Sequence, residues 1–325
     1  MLYPLKFKPI FKDKIWGGQK IRTVLKKDFG KLNNCGESWE LSGVEGDVSL
    51  VSNGFLVENT LNELVEIYMS ELVGEKVYEK FGVEFPLLIK YIDASDKLSI
   101  QVHPNDELAR ERHNAYGKTE MWYVIQADDE AELISGFNET INKEVYLKHL
   151  ENKSLKNILN SVKVKPGDVF FIPAGMVHAI GGGILLAEIQ QTSDVTYRIF
   201  DWDRVDDKGE PRELHTDLAL DAICYDGKDE FHREFKPLLN QPMNIADCKY
   251  FTTNILEFNQ PIEKSYLDFD SFVIYMCLEG SLTLLTNGCE NTVINMGETV
   301  LLPALIDEVN LIPNKKAKIL EIYIS

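Results

Sequence analysis

Residues 167–178 read Gly-Asp-Val-Phe-Phe-Ile-Pro-Ala-Gly-Met-Val-His, and no other stretch of the chain narrows the fold as far. Two glycines and a proline bracket a short apolar run, so the chain enters and leaves a strand through tight bends. The second bend presents one imidazole, His178, inward. The pattern returns at 297–304 as Gly-Glu-Thr-Val-Leu-Leu-Pro-Ala, and residues 123–136 are matched by 273–286. A duplicated β unit follows, with a helical insertion accounting for the longer spacing in the first copy. In this register Glu120 corresponds to Asp270 and His178 to Glu308, and no Gln-x-His strand precedes Asp270. The second copy is therefore expected to lack a metal site.

Upstream, Leu98-Ser99-Ile100-Gln101-Val102-His103 alternates apolar and polar residues, which places Ser99, Gln101 and His103 on one strand face. That polar face ends in His-Pro close after the apolar run 85–92, a setting that suits a barrel mouth better than a solvated surface. Residues 117–125, Gly-Lys-Thr-Glu-Met-Trp-Tyr-Val-Ile, put Glu120 at the start of another apolar strand. Gln101, His103, Glu120 and His178 together make a four-ligand set for one divalent ion. Neutral imidazole and carboxylate oxygen suit zinc, and three strong ligands with a weak fourth leave a position for substrate. The same residues could hold ferrous iron, so ligand type leaves isomerase and oxygenase chemistry both open. Cys35, Cys224, Cys248, Cys277 and Cys289 form no CxxC pair, which argues against a thiolate zinc site.

Four motifs occur in order: Gln101-Val102-His103-Pro104-Asn105-Asp106, Gly117-Lys118-Thr119-Glu120, the 167–178 turn, and Glu-Ile-Gln-Gln-Thr-Ser-Asp-Val-Thr-Tyr-Arg-Ile-Phe-Asp-Trp-Asp-Arg at 188–204. The turn resembles the second signature of the cupin superfamily, small β-barrels that hold one metal ion. The whole series, preceded by Trp16-Gly17-Gly18 and Gly36-Glu37-Ser38-Trp39, resembles the type I mannose-6-phosphate isomerases, in particular their short bacterial form. Gln101 stands where general cupins carry the first His of a His-x-His pair, and Glu120 follows at a distance. The isomerase family shares that variation, which argues against a generic cupin oxygenase. After Trp39, where the family commonly has a histidine, this chain reads Leu41-Ser42-Gly43-Val44.

The resemblance implies a mostly β fold of two cupin-like jelly-roll barrels with short helical insertions and one zinc ion per chain. It further implies interconversion of mannose 6-phosphate and fructose 6-phosphate through a cis-enediolate. It marks Arg198 as the catalytic arginine, and because a guanidinium stays protonated its part is electrostatic, toward enediolate or phosphate. A salt bridge to Asp194, Asp201 or Asp203 is the competing role. Lys118, two residues before Glu120 and on its side of the strand, is placed to contact phosphate or a sugar hydroxyl. Gly117-Lys118-Thr119 is not a nucleotide phosphate loop, because Arg112 stands where that motif needs its first glycine. Glu188, on an apolar strand where burial would lift its pKa toward neutrality, is the first choice of general base. Ser99 and Arg204 are further phosphate contacts, and His113, His149, His215 and His232 are expected in solvent.

With 325 residues, 44% of them hydrophobic, the chain can fill two ordinary domains. Residues 1–235 are expected to form the catalytic cupin domain and 236–325 a degenerate barrel without metal, with the charged stretch 226–236 between them. Apolar residues at helical spacing predict helices over 60–81, 139–159 and 214–225, the first two as covers for barrel ends. The formal net charge of −18 disfavours nucleic acid and anionic membrane surfaces, so a sugar phosphate needs locally gathered Lys and Arg. No apolar run reaches membrane-spanning length and the first residues lack a signal-peptide core; with five scattered cysteines this points to the cytoplasm. Oligomeric state is not legible. Three functional classes stand: a metal-dependent isomerase, an iron-dependent oxygenase and a non-catalytic sugar-phosphate-binding bicupin. Lys118 and Arg198, with the complete ligand set, favour the first.

Overall fold

A computed structural model describes residues 2–205, 208–227 and 232–325. The fold is mostly β, in three antiparallel sheets. A seven-stranded sheet runs in the order His232–Glu234, Asp168–Ile172, Glu120–Ala127, Ile184–Gln191, Leu87–Ala94, Glu37–Leu41 and Ile10–Lys12. A five-stranded sheet orders Tyr197–Phe200, Ile100–Val102, His178–Ala179, Glu132–Phe137 and Leu159–Lys163. An eight-stranded sheet holds the strands from Pro242–Asp247 through Glu308–Tyr323 together with Leu5–Lys6.

The central strands of the seven-stranded sheet read Leu-Leu-Ile-Lys-Tyr-Ile-Asp-Ala and Ile-Leu-Leu-Ala-Glu-Ile-Gln-Gln and are buried at every position. Such near-continuous burial belongs to strands with both faces covered. One face, with Ile92, Trp122, Val124, Phe170 and Leu186, packs with Leu98, Leu133 and Ile180. The other, with Tyr91, Met121, Tyr123 and Ile189, packs against Ile274, Met276, Leu320 and Ile322 of the eight-stranded sheet. That last sheet encloses a further core drawn from its own strands, with Phe258, Tyr275, Leu284, Leu302 and Ile319 among its members.

The expected helix over 60–81 forms with a break. Leu61–Val73 starts in a capping box, Thr60 and Glu63 each accepting the other's backbone N–H, and Glu75–Phe81 follows after Gly74. Gly74 has φ 95°, and a Cβ there would lie 2.4 Å from the carbonyl oxygen of Asp270, so only glycine fits. Met69, expected on the apolar face, has φ 46° and is exposed. Residues 139–159 hold only one α-helix, Lys143–Glu151, and Leu159 already opens a strand. Tyr146 is its buried residue, while Val145 is exposed. The third helix is Thr216–Ala222. Tyr146 and Ala219 pack on Ile100, Val102 and Phe137, so these two helices cover one face of the five-stranded sheet. No helix among the described residues is long and apolar enough to cross a membrane.

Leu5–Lys6 departs from the expected 1–235 grouping by pairing with Leu301 and Val300. Of the expected linker 226–236, residues 228–231 lie outside the described residues, and His232–Glu234 is an edge strand on Asp168–Ile172 rather than a connector.

The duplication is visible in the ladders. Gly167 and Gly297 take φ of 94° and 83°, and each leads into a strand that pairs with Glu120–Ala127 or with Val273–Thr286. The register corrects the sequence reading. Glu120 faces Ile172 whereas Val273 faces Leu302, so Val273 and not Asp270 holds the place of Glu120. Glu308 is exposed, and its inward-facing neighbour is Val309. Asp270 instead caps a helix, its carboxylate accepting the N–H groups of Glu75 at 2.6 Å and Lys76 at 3.1 Å. Asp270→Ala should therefore lower stability by about 1 kcal/mol, the usual cost of losing an N-terminal cap. A shifted denaturation midpoint with unchanged metal content is the expected result.

Candidate metal centre

His103 follows the strand Ile100–Val102, Glu120 opens Glu120–Ala127, and His178 opens His178–Ala179, where it pairs with Gln101. Gly175, at φ 90°, turns the chain into that last strand and donates its N–H to the carbonyl of His103 at 2.9 Å. The two histidine segments are thus tied through the backbone. All three side chains are buried, and their ligating atoms lie within 4.8 Å of one another. Glu120 carboxylate oxygens lie 3.4 Å from His178 Nε2 and 3.6 Å from His103 Nε2. A tetrahedral ion with ligands at about 2.0–2.1 Å sets them about 3.3 Å apart.

The other nitrogen of each ring is committed. His103 Nδ1–H donates to the carbonyl of Val195 at 3.0 Å and His178 Nδ1–H to that of Met176 at 2.8 Å. This fixes the tautomers and leaves both Nε2 lone pairs for the site. His103 Nε2 and both oxygens of Glu120 have no hydrogen-bond partner. Buried acceptors without donors are unfavourable, and a divalent cation answers all of them at once. Burial, aided by Lys118, holds His103 well below the usual imidazole range, and burial brings His178 down to about 4, so both rings are neutral ligands. Burial and then the charge of Glu188 raise Glu120. Gln101 Nε2 sits 3.2 Å from His178 Nε2, with its Oε1 3.4 Å from Ser99 Oγ. To serve as the fourth ligand its amide must turn over and offer oxygen.

Beside the group lies a cavity of about 260 Å³. Its wall carries five cations, Lys14, Lys90, Lys118, Arg198 and Arg212, against the carboxylates of Glu37, Glu188 and Asp194. In a chain of net charge −18 that is a local reversal of sign, fit to draw in an anionic ligand.

The family described as phosphomannose isomerase type I, catalytic domain, matches residues 4–136. The mannose-6-phosphate isomerase ManA of Bacillus subtilis is 42% identical over 257 residues, covering 77% of this chain and 78% of that protein. The mannose-6-phosphate isomerase of Streptococcus mutans is 42% identical over 226 residues, covering 69% and 68%. The crystal structure of mannose 6-phosphate isomerase from Bacillus subtilis matches with a TM-score of 0.86 at 30% identity, over 99% of this chain and 100% of that one. The chain belongs to the type I phosphomannose isomerases.

Of the residues read from the sequence of this phosphomannose isomerase, Gln101, Lys118, Glu188 and Arg198 line the cavity, and His103, Glu120 and His178 form the metal group beside it. Ser99 is buried, bonded to Gln101, and is not in the wall. Arg204 is also outside it, engaged by Asp201 at 2.7 Å and Asp96 at 3.4 Å. Asp201 accepts from Arg204 and Arg212, and Asp203 pairs with Lys153; among the described residues neither these nor Asp194 forms an ion pair with Arg198, though the charges of Asp201 and Glu213 act on it at longer range. The Arg198 Nη1–H donates to the carbonyl of Glu213 at 2.7 Å. His215, expected in solvent, braces the arginine: its Nδ1 accepts the Arg198 backbone N–H at 3.1 Å. His232 is likewise partly buried, stacked on Phe170. Leu41 and Ser42 are fully buried and outside the cavity wall.

Glu188 requires a correction. Burial raises its pKa, but Lys90 Nζ at 3.1 Å, with Lys118, outweighs burial and holds the carboxyl below the usual range. Trp122 Nε1–H adds a hydrogen bond at 2.9 Å. Lys90, Glu37 and Arg212 went unread as site residues. Lys90 had a signal, a lysine inside an otherwise apolar strand; Arg212, in a loop of charged residues, had none.

Lys118 is set by a clamp. Gly117 N–H donates to Asp106 Oδ1 at 3.1 Å, Gln191 Nε2 donates to the same oxygen at 2.8 Å, and Gln191 Oε1 accepts the Thr119 N–H at 2.9 Å. Asp106 Oδ2 in turn accepts the hydroxyl of Tyr250 at 2.5 Å, from the turn between two strands of the eight-stranded sheet. The C-terminal sheet thereby reaches the loop that carries Lys118. Tyr250→Phe should lower stability by about 1.5 kcal/mol, as loss of a hydrogen bond to a charged group does, and reduce kcat/KM with metal content unchanged. Steady-state kinetics and thermal unfolding measure both, and unaltered kinetics would show that the clamp does not set Lys118.

Proposed function

We propose that this chain interconverts mannose 6-phosphate and fructose 6-phosphate, using one zinc ion held by Gln101, His103, Glu120 and His178. The observation that carries the reading is the buried His103–Glu120–His178 group, short of hydrogen-bond donors and with Lys118 Nζ 3.6 Å from Glu120, beside a cation-lined cavity. The relatives named above as mannose-6-phosphate isomerases support the substrate. Moving a proton between adjacent carbons builds negative charge on neighbouring oxygens of a cis-enediolate, so the site must stabilise an oxyanion and carry one proton. A divalent ion supplies Lewis-acid stabilisation of that charge when bound.

Arg198, anchored by the Glu213 carbonyl and without a carboxylate in close ion pair among the described residues, aims fixed positive charge at the enediolate or the phosphate. Lys118 supplies a second positive contact, to phosphate or to the reacting hydroxyl. Glu188 is a weak base in its ionised form, and its pairing with Lys90 holds that ammonium in the wall of the cavity. Five wall cations match an anionic substrate better than the substrate of a generic oxygenase.

In this reading residues 1–235 form the catalytic cupin-like barrel and 236–325 a second barrel without metal, apart from Leu5–Lys6 in the latter's sheet. The self-contained core of the eight-stranded sheet supports the division. Five cysteines, none in a disulfide, support the cytoplasm.

Chelation should abolish the interconversion and zinc should restore it; full activity in metal-free protein would sink the proposal. Elemental analysis should find close to one divalent ion per chain, lost in His178→Ala and kept in Glu308→Ala. Arg198→Ala should keep its metal and thermal stability while turnover falls roughly a hundredfold to a thousandfold. Arg198→Lys should recover part of that, since a point charge does not replace a planar fork. If the alanine variant unfolds or loses metal, Arg198 is structural; if it stays fully active, it is a bystander.

A further inference from the structure

Lys97 and Lys156 stand apart from the other cations. The chain has 52 Asp and Glu against 34 Lys and Arg, so carboxylates are in excess. Yet among the described residues neither ammonium has a carboxylate partner, and each instead lies 4.7 Å from the ring centre of the same side chain, Trp202. Their separation is therefore no more than twice that distance, and like charges so placed repel one another. Trp202 is itself held in place. Its Nε1–H donates to the carbonyl of Leu98 at 2.7 Å, and its backbone takes φ 59°, a region a tryptophan rarely adopts.

These three side chains border a cavity of about 470 Å³, distinct from that of the metal group and within the size range of small-molecule sites. Leu133, Leu159 and Ile180 give it an apolar floor. Two of its three carboxylates are engaged elsewhere, Asp96 by Arg204 and Glu130 by Lys163, which leaves Glu132 against two unpaired ammonium groups. Leu98 and Ile180, joined by a backbone hydrogen bond of 2.8 Å, both line the metal-side cavity, and Ile180 lines this one as well. The two cavities thus lie back to back across a thin apolar wall.

We propose that this second cavity binds a phosphomonoester with an apolar body, the body against the floor of Leu133, Leu159 and Ile180 and the phosphate at the ammonium groups that Trp202 holds, those of Lys97 and Lys156. Two ammonium groups match the charge of a phosphomonoester near neutral pH, which a single carboxylate would leave half answered. An apolar floor has no use for a bare inorganic anion.

Calorimetric titration of the zinc-loaded protein with phenyl phosphate tests this, alone and with saturating mannose 6-phosphate. One saturable event that survives mannose 6-phosphate is expected. It should weaken roughly tenfold or more in the Lys97→Ala/Lys156→Ala variant, and inorganic phosphate should bind the parent more weakly by a similar factor. Neither lysine belongs to the catalytic machinery, so turnover by the double variant should equal that of the parent and report a native fold. The proposal is overturned by absence of binding, by displacement with mannose 6-phosphate, by unchanged binding in the double variant, or by inorganic phosphate binding as tightly as phenyl phosphate. The comparison of parent with double variant needs no turnover, so it decides the site even if the isomerase reading fails.

Discussion

The seven-stranded sheet is covered on both faces, and the site follows from that burial. Lys90, Glu120, Glu188 and Gln190 all sit on its strands at 3% exposure or less. Water cannot solvate them, and a buried charge without a partner is severely unfavourable. They therefore answer one another across the ladders. Glu188 faces Lys90 on one side and Trp122 on the other, and both contact its carboxylate. Cation, anion and indole are fixed in a row over three strands. Glu120 faces Gln190 at the end of the same ladder, where neither of its oxygens has a hydrogen-bond donor and Lys118 Nζ stands 3.6 Å away. The two histidines brought in by the five-stranded sheet are acceptors too, because their N–H groups are already given to backbone carbonyls. Against these lone pairs the chain sets only Lys118 Nζ, 3.6 Å from Glu120, and Gln101 Nε2, 3.2 Å from His178 Nε2, among the described residues, so a bound cation completes the cluster and metal binding is the last step of a burial problem rather than an addition to a finished fold.

What could be read from the sequence was whatever depends on short-range pattern. Period-two alternation puts Ser99, Gln101 and His103 on one face, and the structure buries Ser99 and His103 and leaves Gln101 half-buried at the cavity while Ile100 and Val102 meet the covering helices. The glycine-bracketed turn at 167–178 placed His178, because positive φ at two positions is a local demand. The misreadings share a different cause. Matching 120 to 270 by sequence missed a three-residue slip that only ladder pairing reveals, since apolar strands align with one another in several registers. Glu188 was assigned a raised pKa from its own strand, but its ionisation is governed by Lys90 on the neighbouring strand. Arg212 reaches the cavity from a loop with no periodicity at all. Helix limits moved where a glycine or a strand start intervened, at Gly74 and Leu159.

The duplicated half shows how the same burial problem is solved without an ion. The corrected register sets Tyr275 in the place of Trp122, and across the ladder from it stands Glu321, as Glu188 stands across from Trp122. Glu321 is 1% exposed, so it too must be answered internally. Lys264 Nζ lies 2.8 Å from it and Asn254 Nδ2 donates at 3.0 Å, while the hydroxyl of Tyr266 bonds to it and to Tyr275. Lys264 and Tyr266 form a Lys-x-Tyr pair on the strand edge where the first half has its Gln-x-His, and opposite Lys264 stands the apolar Val309. At the places of Glu120 and His178 the second half carries the apolar Val273 and Val309, so the acceptors that the first half leaves for a metal are absent, and Glu321 is met by N–H and O–H groups carried on the chain itself. A covalently attached ammonium cannot leave and needs no open coordination position, so the interior closes around Tyr266, which is 4% exposed. The first half keeps His103 Nε2 and both oxygens of Glu120 without a hydrogen-bond donor and its neighbouring cavity open. Both halves thus answer the buried glutamate of this row with a lysine, Glu188 with Lys90 and Glu321 with Lys264, and they differ in the acceptors His103, Glu120 and His178 that only the first half gathers beside it among the described residues.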